Sequence, residues 1–86
     1  MIAILAERLQ DGRDFVRTLG VEKVTGEDSG LLTNGHKFRI ITREEQLCGL
    51  ELHDFFIAWP KQGVWNHLPL VQQAMSRLRS NRNGGV

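Results

Sequence analysis

The chain has one cysteine, two prolines and no tyrosine among its 86 residues. A single thiol, Cys48, excludes an intramolecular disulfide and a cysteine-based zinc cluster, and it suits a reducing cytoplasm. The apolar start, Met1 to Ala6, is interrupted by Glu7 and Arg8. That run is too short for a signal-peptide core or a membrane span, so no membrane partner is expected. Neither sign of charge dominates. A net charge of +1 supplies no global field that would draw nucleic acid or an anionic surface. Phosphate-cradling loops are also missing, both Gly-x-Gly-x-x-Gly and Gly-x-x-x-x-Gly-Lys-Ser/Thr.

What is present suits a folded domain. With 41% apolar residues the chain is too hydrophobic for disorder, and its length fits one domain over residues 1–82 with a frayed tail at 83–86. A domain this small buries only about 60% of the surface that its unfolded chain exposes, and self-association as a homodimer is one common remedy. Charge is unevenly placed. Arg77, Arg79 and Arg82 lie in a stretch without acids, whereas acids gather in residues 22–28 and 44–54.

The apolar run Ile2 to Ala6 predicts a strand buried on both faces. Leu9, Gly12, Phe15, Val16 and Leu19 recur at helical spacing, with Asp11 as the expected N-cap and Gly20 as the stop. Gly12 on the inner face would admit a close approach to the sheet. Val21 to Thr25 is a strand candidate. Asn34-Gly35 is a turn signal, able to join Leu31–Thr33 to the strand Phe38–Thr42 as a hairpin. Thr42-Arg43-Glu44-Glu45 matches a capping box and predicts a short helix to about Cys48. Phe55 to Ala58 reads as a further buried strand, ended by Pro60. In the final helix, expected to start at an Asn66 cap, Leu68, Leu70, Val71, Ala74, Met75 and Leu78 span an apolar arc of roughly 160°. Strands alternating with helices predict a small two- or three-layer Rossmann-like α/β unit: three or four mostly parallel strands, three helices and an Asn-Gly hairpin.

The chemistry-bearing residues form no recognised constellation. His36, His53 and His67 lack metal-ligand spacing and read as surface residues near turns. No serine or cysteine sits in a nucleophile context, and Cys48 reads as a small core residue. Catalytic residues, metal ligands and cofactors are therefore expected to be absent. Trp59 and Trp65 flank a loop at what would be the carboxyl edge of a parallel sheet, where they would anchor a partner or lid the core.

Two resemblances extend this reading. The segment Phe38 to Trp59, F-R-I-I-T-R-E-E-Q-L-C-G-L-E-L-H-D-F-F-I-A-W, resembles the strand–helix–strand core of nucleotide-hydrolysing helicases and phage packaging motors. The acidic pair that should follow the second strand is replaced by Ala58-Trp59, which speaks against hydrolysis. The abbreviated unit opening I-A-I-L-A-E-R-L-Q-D-G-R-D-F is similar in style to small orphan proteins of actinobacterial phages. That resemblance implies a non-enzymatic, cytoplasmic role in binding, and even inhibiting, a bacterial host protein. The expected partner surface comprises Trp59, Trp65, Met75, Arg77, Leu78, Arg79 and Arg82. Two alternatives stand beside it: a nucleic-acid module using the C-terminal arginines and Lys61, and a degenerate nucleotide or small-ligand binder at the carboxyl edge.

Overall fold

In the computed structural model, which describes residues 1–60, 63 and 67–78, Ile2 to Ala6 form an interior strand of a sheet. The elements in chain order are β1 (Ile2–Ala6), α1 (Leu9–Leu19), β2 (Val21–Val24), β3 (Ser29–Leu32), β4 (Lys37–Ile41), a 3-10 turn (Glu44–Leu47), β5 (Asp54–Ala58) and α2 (Leu68–Ser76). The sheet order is β2-β3-β4-β1-β5. β1 runs parallel to both neighbours, with Ile4 opposite Ile40 on one side and Phe56 on the other. Each residue of β1 is at most 3% exposed, which is why the segment has no polar alternation.

The expected architecture of three or four mostly parallel strands with three helices is overturned. The described residues form a small mixed α/β domain with a five-stranded sheet, two parallel and two antiparallel pairings, and two α-helices. Short connections account for the antiparallel half. The links between β2 and β3 and between β3 and β4 are too short for a crossover, so each strand must fold back on its predecessor. At Asn34-Gly35 the backbone amide of Leu32 donates to the His36 carbonyl at 2.9 Å, and Gly35 takes a φ of 91° that disfavours any side chain. The third expected helix is only the four-residue 3-10 turn, too short to nucleate an α-helix. Its cap also differs from the Thr42/Glu45 box. Gln46 Oε1 accepts from the backbone amides of Thr42 at 2.7 Å and Arg43 at 3.0 Å.

β5 is the other departure. It lies at the sheet edge, with Phe55, Phe56 and Ile57 half-buried rather than central. α1 begins two residues before the expected Asp11 cap. Asp11 instead sits buried in the first turn, paired with Arg8 Nε at 3.4 Å.

The helices cover opposite faces. α1 packs through Val16, with Leu9, Phe15 and Leu19, onto Ile2, Ile4, Phe38 and Ile40. α2 places Leu70 and Ala74 over Ala3, Leu5 and Ile41, joined by Leu47 and Leu52. Gly12 lets α1 approach the sheet closely, because a Cβ there would collide with Ile40 Cγ2. Pro69 falls in the first turn of α2, where its missing amide is harmless. No described helix is long and apolar enough to cross a membrane.

Candidate functional site

β1, β4 and β5 point the same way, so their carboxyl ends share one edge. Glu7, Thr42 and Trp59 follow directly from those strands. The chain leaves β1 for α1 on one face, whereas it leaves β4 for the 3-10 turn on the other. Such a divergence between neighbouring parallel strands opens a crevice. Here the crevice has a volume of about 310 Å³ and is lined by Thr42, Arg43, Glu44, Glu45, His67 and the start of α2.

His67 Nε2 donates to Glu7 Oε2 at 2.7 Å, tying the entrance of α2 to the end of β1. A carboxylate–imidazole pair can orient a base, but it needs a nucleophile or substrate group within reach. The hydroxyl in the crevice lining, Thr42 Oγ1, instead donates to Gln46 Oε1 at 3.3 Å. Among the described residues, no three His, Cys, Asp or Glu side chains gather in a way that could hold a metal ion.

Of the sequence-predicted surface residues that the structure describes, Trp59 and Met75 lie on opposite faces of the sheet. Trp59 is 65% exposed and lines a shallow cleft of about 170 Å³ with Asp11, Asp14 and Phe15, on the α1 side of the sheet. Met75 belongs to α2 on the opposite face, where it is 50% exposed. Leu78 packs into the α2-side cluster and bridges to Leu52, so it serves the core. Arg77 is half-buried, and its carbonyl accepts the Leu52 amide at 2.8 Å. Trp65, Arg79 and Arg82 lie outside the described residues, as do Lys61, the Asn66 cap and the 83–86 tail.

The apolar arc of α2 divides along its length into two halves. Leu70 and Ala74 are 2% and 0% exposed, whereas Leu68 and Met75 are 61% and 50% exposed, with Val71 half-buried between them. Leu68 and Met75 are seven residues apart and so share one stripe, displaced from the buried one by about a quarter turn or more.

Three features escaped the sequence reading. The Glu7–His67 contact joins residues far apart in the chain, with no motif to mark it. His36 and His53 stack with ring centroids 4.3 Å apart, because β4 and β5 flank the same strand, β1, and begin at its amino end. Cys48, expected in the core, is exposed. The 3-10 turn buries the preceding Leu47 instead. In comparisons with protein-family models, curated proteins and solved structures, nothing matched this chain.

Proposed function

We propose that this chain is a non-enzymatic interaction module that engages a protein partner through the outer stripe of α2. The carrying observation is the divided arc. Leu68 and Met75 remain 61% and 50% exposed on a helix whose inner stripe already supplies the core contacts. Two large apolar side chains exposed to this degree on one helix offer apolar area to a partner. Methionine adapts to irregular surfaces, which suits a contact of this kind. The resemblance to phage orphan proteins supplies the class of partner, a bacterial host protein. A second copy of the chain is the simplest alternative occupant.

The test is a pair of charge insertions, Leu68→Glu and Met75→Glu. Both sites are exposed, so thermal stability should change by less than about 1 kcal/mol. Light scattering behind a sizing column reads self-association, and capture from bacterial lysate reads a heterologous partner. The expected result is loss of whichever association the unmodified chain shows. A chain that is monomeric at high concentration and retains an identical set of captured proteins in both variants would overturn the reading.

A further inference from the structure

A further concavity lies away from both the carboxyl-edge crevice and α2. It is a cleft of about 420 Å³ between α1 and the β2–β3 hairpin. Its apolar lining comes from Val16, Val21, Val24, Phe38 and Ile40. The helix wall contributes Arg13 and Arg17, one turn apart, and the facing wall is the hairpin tip with Gly26, Glu27 and Ser29. Volumes of this order hold small organic molecules, and recognition in such sites comes from an apolar body plus a few placed polar groups.

Charge and strapping narrow the ligand class. Arg13 Nε donates to the Glu27 carbonyl at 3.1 Å, which fixes the guanidinium between helix and hairpin. That bond uses one of five guanidinium donors, and the remaining fork matches a carboxylate. Arg17 adds a second positive charge on the same wall, in a long 3.4 Å contact with Asp14. Glu27 is the one acid among the lining residues, so the lining carries one net positive charge. Val24 stands 68% exposed at the edge of the same cleft, the most exposed large apolar side chain among the described residues.

We infer that this cleft binds a small amphiphilic carboxylate, with its apolar tail along Val21 and Val24 and its head group on Arg13. The site is independent of the α2 surface, so either reading can fail without the other.

The experiment is an amide NMR titration of the full chain at pH 7 with three probes of equal tail length: octanoate, octan-1-ol and octylammonium. Octanoate should shift amides of Arg13, Val16, Val24 and Gly26, bind more tightly than octanol, and weaken with added salt. Octylammonium should bind least. Arg13→Gln should remove the preference for octanoate over octanol, a ratio that loss of the Glu27 strap alone would not change. Affinity for octanoate should fall by about tenfold. Val24→Glu, at an exposed position that leaves folding intact, should abolish octanoate binding. Absence of shifts with octanoate, equal binding of the three head groups, or shifts confined to other surfaces would each overturn the proposal.

Discussion

Gln46 holds the turn after β4. Its single carbonyl oxygen collects the Thr42 and Arg43 amides, and the Thr42 hydroxyl adds only a 3.3 Å contact to the same atom. Gln46→Ala should therefore cost about 1 kcal/mol through two stranded amides, and Thr42→Ala clearly less. Denaturant melts of both variants check the order, and equal losses would return the cap to Thr42. Gly12 gives a second residue-scale test. Alanine is normally favoured over glycine inside a helix by about 1 kcal/mol. At Gly12 the added methyl meets Ile40 Cγ2, so Gly12→Ala should destabilise by about 1–3 kcal/mol instead. A stabilised variant would mean that α1 can lift from the sheet without loss. What the sequence disclosed at this scale was local. The Asn34-Gly35 turn, Gly20 after α1 and Pro69 in the first turn of α2 each act within a few residues. The acceptor at Gln46 lay one residue beyond the expected Glu45, and Glu7–His67 had no local signature at all.

At the scale of elements, β1 and β5 look alike as sequence and differ in position. I-A-I-L-A and D-F-F-I-A are both short and apolar, yet one is an interior strand and fully buried while the other is an edge strand. Composition reports that a strand is apolar on both faces, and here each face of β5 does meet a cluster: Phe56 on the α1 side, Phe55 and Ile57 on the α2 side. It does not report how many neighbours the strand has. Ile4→Ala should therefore cost about 2–5 kcal/mol. Phe56→Ala should cost less than Ile4→Ala despite removing more atoms, because the ring is half-buried on an edge strand, against Phe15 at 6.1 Å between centroids and the rim of the α1-side cluster. Comparison of the two midpoints in urea tests the assignment of edge and interior strand. α2 shows the same limit from the other side. Its broad arc was legible, but only the packed structure separates Leu70 and Ala74 from Leu68 and Met75.

For the whole molecule, the mixed sheet follows from a difference in reach along the chain. β2, β3 and β4 pair with their immediate neighbours in sequence, a local meander. β1 pairs with nothing near it: Ile2 meets Phe38 on one side and Asp54 on the other. This division sets an order of assembly. The meander can close early through short turns, whereas β1 must wait for two distant segments whose ordering carries a larger entropy loss. Until Asp54–Ala58 docks, one flank of a fully apolar strand offers bare amides and carbonyls to whatever is nearby, including another copy of the same strand. Refolding yield should therefore fall as protein concentration rises, and a charge placed at Ile4 should relieve the aggregation while destroying the fold. The strand that holds the native sheet together is also the one most exposed to mispairing on the way there.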